Sequence, residues 1–120
     1  MKCGYTKYDI VLVDFGEVEF AGEQGGIRPA IIMQNDKGNK FSGTTIVLPF
    51  TSKPKPNLPT HCFFKRNNEA GLKKDSILLG ECIRQISEKR IKCKLGRFYD
   101  LTDCNKVDKA LYANFTFQEV

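Results

Sequence analysis

Tyr8-Asp9-Ile10-Val11-Leu12-Val13-Asp14-Phe15 decides the fold class. The stretch is rich in β-branched and aromatic residues and too short for a stable helix, so it reads as a strand. Its centre is apolar on both faces, which predicts a central place in a sheet. Residues 1–7 before it read as a loose arm. After it comes Gly16–Ile27, a connection of twelve residues, longer than a hairpin turn and of the length that serves function or moves. Gly22, Gly25 and Gly26 make it a loop, and its small content of buried apolar residues predicts mobility. The loop ends on Arg28, set between Ile27 and Pro29. Pro29 biases Arg28 toward extended backbone, so the arginine stands at the mouth of the next strand.

That next strand is Arg28–Asn35, followed by a turn at Asp36–Lys40 and a third strand at Thr44–Phe50. Thr51–Pro59 holds three prolines and two lysines and reads as a stiff, exposed loop. His61–Lys65 is a short strand, Arg66–Lys73 a polar connection, and Asp75–Leu79 a strand that Cys82–Ile86 continues beyond Gly80. Ser87 caps one helical turn through Ile91. Leu95–Leu101 reads as another short strand. The chain then turns helical, with Thr102 or Asp103 as the cap and Cys104, Val107, Leu111 and Phe115 on one face. Many short strands with Gly/Pro turns and a late helix predict a mainly β (α+β) domain. The expected form is a small, strongly bent antiparallel sheet or partly open barrel, with the helix over one opening. Its 120 residues suit a single domain over 1–120 with a core that needs no disulfide or metal to hold it.

The charge is uneven. Lys53–Arg97 carries twelve Lys and Arg against four Asp and Glu, whereas the whole chain is only +5. Such a basic segment is the footprint of a polyanion or of an acidic protein partner. The five cysteines are odd in number and lack CxxC spacing, which argues against a disulfide framework or zinc site and for a reducing, cytoplasmic compartment. No apolar run reaches the roughly 18 residues of a membrane span, and the N-terminus does not read as a secretory signal.

The usual hydrolytic sets are missing. There is one histidine, His61, no metal-ligand cluster, and no GxSxG or Walker-type loop. Asp9 and Asp14, five apart, face opposite sides of their strand. What remains is Arg28, the Thr51-Ser52 hydroxyl pair and the basic stretch beyond. If the strands that Arg28 precedes and Thr51 follows are adjacent and antiparallel, the two side chains meet at one edge. A guanidinium fork matches phosphate, and a hydroxyl beside it donates to a phosphoryl oxygen. Together they would stabilise the charge that grows on phosphorus during attack by a ribose 2′-OH, with no metal required. On these residues alone, a surface ion pair for Arg28 and a turn hydroxyl for Thr51 serve equally well.

Several motifs in series carry more than composition does. They are Asp9–Phe15, Gly22–Pro29, Gln34-Asn35-Asp36 with Gly38-Asn39, Thr44–Ser52, Leu58-Pro59-Thr60-His61, Gly71-Leu72, Asp75-Ser76 and Glu81–Ile86. In order and spacing this series, from about Tyr8 to Leu95, resembles the MazF/PemK family, the toxins of type II toxin–antitoxin pairs. The resemblance implies an SH3-like antiparallel β-barrel with short helices and a C-terminal helix, assembled as a homodimer. It implies a metal-independent, sequence-specific endoribonuclease that cuts single-stranded RNA, usually mRNA, and leaves a 5′-hydroxyl. The family's catalytic arginine and threonine fall on Arg28 and Thr51. Its RNA contacts fall on Glu23, Gln24, Asn35, Ser52, Lys55, Glu81 and Arg84. No cofactor is implied, and the implied partner is an acidic MazE-like antitoxin. Two positions depart from the pattern: Tyr8 stands where many relatives have Gly, and Cys82 where many have Gln. A thiol is a weak hydrogen-bond partner, so no base contact carries over to Cys82. The alternative is a toxin of the same fold that binds DNA gyrase and cuts nothing; that group has no need of the Arg28/Thr51 pair.

Overall fold

The first strand, β1 (Asp9–Asp14), lies inside the sheet, between β2 (Ile27–Ile32) and β7 (Ile91–Arg97). The computed structural model describes residues 4–18, 20 and 24–115. Between β2 and β7 the chain forms α1 (Asp36–Phe41), β3 (Thr44–Thr51), β4 (His61–Phe64), β5 (Ser76–Leu79) and β6 (Arg84–Ser87). It ends in α2 (Leu101–Tyr112). All pairings are antiparallel, in the order β4-β5-β3-β2-β1-β7 with β6 also on β3. β3 has two partners on one side: its end pairs with β5 (Thr51↔Ile77) and its start with β6 (Thr44↔Ser87). The continuation of the fifth strand beyond Gly80 is therefore present as β6, after a break at Gly80–Ile83.

Alternation along the strands divides the core in two. Ile10, Ile31, Leu48 and Phe50 pack on one face with Phe64, Leu78 and the buried face of α2. Val11, Val13, Ala30, Ile32 and Val47 pack on the other with Phe15 and Ile86. The sheet does not close as a hydrogen-bonded barrel, because β4 and β7 end the order without pairing. Its ends meet through side chains instead: the rings of Phe64 in β4 and Phe98 just after β7 lie 4.8 Å apart.

Three local expectations change. Asp36–Lys40 is not a turn but the body of α1, capped by Asn35, whose Oδ1 accepts from Gly38 N–H at 2.8 Å. Gly38 and Asn39 are poor helix formers, but buried Asn39 accepts from Thr45 Oγ1 and donates to the Gln34 carbonyl, which holds the turn from inside. The strand expected at Leu95–Leu101 runs earlier, as β7, because pairing with β1 outweighs the lysines at 92 and 94. Asp100, not Thr102 or Asp103, caps α2, accepting from Thr102 N–H at 2.8 Å. Cys104, Val107 and Ala110 form the buried face of α2, while Phe115 lies past the helix end and is exposed.

Asp9, though buried, is satisfied by Arg97 at 3.0 Å and by Thr6 N–H. Tyr8 adopts φ +75°, a region unfavourable to a side chain. Its hydroxyl donates to Asp108 at 3.0 Å, which ties the first strand to α2. Burial, then that carboxylate, raises the phenol pKa to about 12. Cys62, Cys82, Cys93 and Cys104 are free thiols; Cys3 lies outside the described residues. Among the described residues no helix is long and apolar enough to cross a membrane.

Candidate functional site

β2 and β3 are adjacent and antiparallel, with Ala30 opposite Pro49. Ala30 and Pro49 are the last pair of that ladder, and the same register continued two residues sets Arg28 against Thr51. Strand alternation sets Arg28 with Ala30, and Thr51 with Pro49, on the same face. Both residues line one cavity of about 430 Å³ and border a second. The edge at which the sequence predicted a meeting of arginine and hydroxyl is thus built by the sheet itself.

The donors at this edge are oriented and only partly used. Arg28, half-buried, donates from Nε to the Gly25 carbonyl at 3.0 Å and from Nη1 to Gln24 Oε1 at 2.7 Å. A guanidinium has five N–H groups, so both on Nη2 and one on Nη1 have no partner among the described residues. Thr51 is 7% exposed. Its Oγ1 accepts from Lys53 N–H at 3.2 Å, which leaves the hydroxyl proton to be donated. The loop reaching Arg28 is pinned by Phe15 N–H to Gly26 O and by Gly26 N–H to Gly16 O.

Around this pair the predicted residues separate. Lys55 and Gln24 border the second cavity together with Arg28 and Thr51, and Ser52 lines the first. Gln24 also lines a neighbouring cavity with Glu81, Cys82 and Arg84. Arg84, in β6, stacks its guanidinium 5.5 Å from the Phe15 ring centre. Asn35 stands apart, at the other end of β2, where it caps α1. Glu23 lies outside the described residues. Burial first, then the Glu81 charge, pushes the Cys82 thiol pKa up, so it stays protonated and is a poor nucleophile at neutral pH.

His61, set aside in the sequence for want of a second histidine, turns out to brace this groove. Its Nδ1 donates to the Pro56 carbonyl at 2.7 Å, and its Nε2 meets Glu81 Oε2 at 2.7 Å. A carbonyl can only accept, so Nδ1 carries a proton, and a second proton on Nε2 makes the ring an imidazolium facing a carboxylate. Burial alone would lower the His61 pKa, but the bonds to Glu81 and Pro56 outweigh it and raise it above 6.5. Burial alone would raise that of Glu81, but His61 holds it below 4.5. The His61 contribution to stability is complete below pH 6.5 and is lost as pH rises through its raised value. The Glu81 contribution is complete above 4.5 and is lost as pH falls through its lowered value. Wild type should therefore exceed Glu81→Gln in thermal stability most between pH 4.5 and 6.5, a gap that closes on the alkaline side. Glu81 is 41% exposed, so screening keeps the gap below about 1 kcal/mol. Melts across pH 4–9 check this; a gap that does not change with pH would show that the pair is not ionic.

Comparison with known proteins agrees with this architecture. The model of the PemK-like, MazF-like toxins of type II toxin–antitoxin systems matches residues 6–115. A mycobacterial endoribonuclease solved with its cognate antitoxin superposes with a TM-score of 0.74 at 15% identity, covering 96% of this chain and all of that one. MazF from Deinococcus radiodurans gives 0.74 at 18% identity, covering 92% of this chain and 94% of that one. A MazE–MazF complex from the same organism gives 0.66 at 21% identity, with the same coverages. These solved structures share the fold of this chain. This chain belongs to the PemK-like, MazF-like toxin family of type II toxin–antitoxin systems.

Proposed function

We propose that this toxin is a metal-independent endoribonuclease that cuts single-stranded RNA at preferred sequences. The observation that carries the reading is the Arg28–Thr51 pair, brought to one cavity by adjacent antiparallel strands with donors to spare. The substrate supplies its own nucleophile: a 2′-OH attacks the neighbouring phosphorus, a 2′,3′-cyclic phosphate forms, and the 5′-oxygen departs as a hydroxyl. The protein's task is then to hold the strand and to stabilise the pentacoordinate charge, which a half-buried guanidinium and an oriented hydroxyl do in a partly dry site. Charge stabilisation needs no proton transfer to or from the guanidinium.

Gln24, Glu81 and Arg84 supply amide, acceptor and fork along the adjoining cavity, and these read the edges of unpaired bases. Ser52 and Lys55 contact the backbone beside the scissile phosphate. The fold relatives solved with antitoxins support an acidic, MazE-like antitoxin as partner. Assembly as a homodimer in the cytoplasm belongs to the same reading. The gyrase-binding alternative draws no support from the Arg28–Thr51 geometry.

Purified protein should cut single-stranded RNA in excess EDTA at a small set of sites, each with a 5′-hydroxyl end. Sequencing of 5′ ends after digestion checks activity and preference together. Loss of cutting in EDTA, or cuts spread without preference, would overturn the reading.

A further inference from the structure

The basic excess of the middle segment is not used up by Arg28, Lys55 and Arg84. Beyond the catalytic pair the first cavity continues to Lys53, which also borders the second, and to Lys73, Lys74 and Ser76, which do not. We propose that Lys73 and Lys74, which line this cavity with Lys53, form a phosphate subsite that holds the RNA backbone on one flank of the scissile bond. The proposal rests on the ribonuclease reading above.

Position is the first support. β5 pairs with the end of β3 at Thr51↔Ile77, so the Lys73–Asp75 segment that enters β5 runs beside the residues that follow Thr51, and both segments line the one cavity. Rigidity is the second. The lysines are exposed but sit between buried anchors, Leu72 at 1% and Ser76 at 8% exposure. Leu72 exchanges backbone hydrogen bonds with Asn67 in both directions, at 2.9 and 3.0 Å. Gly71, at φ +77°, approaches β7 so closely that a Cβ would lie 2.4 Å from the Leu95 carbonyl oxygen. On the other side, Ser76 Oγ donates to the Lys74 carbonyl at 2.9 Å. The backbone that presents the two ammonium groups is therefore fixed before any ligand arrives, which lowers the ordering cost of binding.

Charge is the third support. Among the described residues the ion pairs are His61–Glu81, Lys94–Asp9 and Arg97–Asp9, and none involves Lys53, Lys73 or Lys74. The neighbouring carboxylate, Asp75, is turned to Arg66 N–H at 2.8 Å. Three cations thus line one opening with no ion-pair partner among the described residues, contiguous with the site of phosphate chemistry. The cavity floor is apolar, with Leu12, Phe50, Leu72 and Leu95, and it suits an unstacked base beneath a backbone gripped at the rim. RNA is favoured over an acidic protein because the cations share their cavity with Arg28 and Thr51.

The test uses full-length protein, a short RNA centred on a mapped cut, and the double variant Lys73→Gln/Lys74→Gln. Each phosphate contact to a single strand contributes about 0.7 to the slope of log affinity against log salt. The double variant should therefore flatten the slope of kcat/KM by about 1.4. At low salt it should lose about tenfold in kcat/KM through KM, with kcat kept. Lys37→Gln/Lys109→Gln, exposed positions elsewhere, makes the same change in net charge and should match wild type. Trimming the RNA on one side of the cut should erase the difference, and trimming on the other should not. Equal defects in the two double variants, or indifference to trimming, would show a diffuse field and overturn the subsite. So would wild-type cleavage by Lys73→Gln/Lys74→Gln combined with resistance to inhibition by polyglutamate, which would mark a face for acidic protein. Binding of an RNA with a 2′-deoxy sugar at the cut keeps the two readings separable. A wild type that binds but does not cut intact RNA defeats the catalytic reading, while the lysine defect is still read from affinity and its salt slope.

Discussion

Arg28→Ala should abolish RNA cleavage while the protein stays folded. Losing one preorganised donor to a developing oxyanion slows an enzyme by about 10²–10³, and a charged fork contributes more than a neutral donor. A fall of at least about 10³ in the single-turnover rate is therefore expected. The fold should survive because the guanidinium bonds to loop groups, Gly25 O and Gln24 Oε1, and not to the core. Arg28→Lys restores charge without the planar fork and should recover only part of the rate. Thr51→Val keeps shape and burial but removes the hydroxyl; it should fall between wild type and Arg28→Ala. Single-turnover cleavage in EDTA, with melting curves alongside, gives all these values. If Arg28→Ala kept a tenth of the wild-type rate or more, a loss far below that expected of a charged donor, the pair would not be the catalytic centre.

Phe50→Ala should be the most damaging single truncation in the core. Phe50 is 1% exposed and meets two rings edge-on: Phe64 at 6.2 Å and 77°, Phe98 at 6.3 Å and 80°. Those partners sit at opposite ends of the sheet, so this aromatic trio holds the bend where β4 and β7 do not pair as strands. Removing a buried phenyl costs about 3–5 kcal/mol, a large share of the roughly 5–15 kcal/mol that stabilises a domain. At about 4 °C per kcal/mol for this length, the melting temperature should fall by about 12–20 °C. Phe50→Leu, which fills most of the space, should cost far less. Phe50 also lines the cavity beside Thr51, so activity should fall in the surviving folded fraction as well. Thermal and urea melts measure the loss. A drop under about 5 °C, roughly 1 kcal/mol on that scale, would mean that the bend has another support.

The parts of this molecule legible in the sequence are those governed by short-range rules. The continuous apolar run Ile10–Val13, the Pro29 signal behind Arg28 and the Ser87 cap each act within a few residues, and each reappears in the structure. The helix at Asp36–Phe41 was hidden because Asn39 earns its place through Thr45 and Gln34, contacts that composition does not show. β7 was misplaced because its bounds follow β1, 78 to 88 residues away in the chain. At the site, Arg28 and Thr51 could be paired conditionally, on adjacency of two strands. His61 and the Lys73–Lys74 pair could not, since their significance comes from partners across turns. The available signals were a polar ring at a strand entry behind Pro59, and twin lysines immediately before an apolar strand.

The break between β5 and β6 has a consequence for how this toxin diverges. Gly80 cannot vary: a Cβ there would lie 2.6 Å from the Thr60 carbonyl oxygen and 2.7 Å from that of Ala110. The next three residues, Glu81, Cys82 and Ile83, belong to neither strand yet line the cavity proposed to read bases. Surface changes outside a ladder cost little stability. Under the proposed reading, inheritance can conserve the sheet and the cutting pair while this cavity-lining segment drifts. A lineage of such toxins would then acquire new target sequences by single substitutions, each step leaving a folded and active protein.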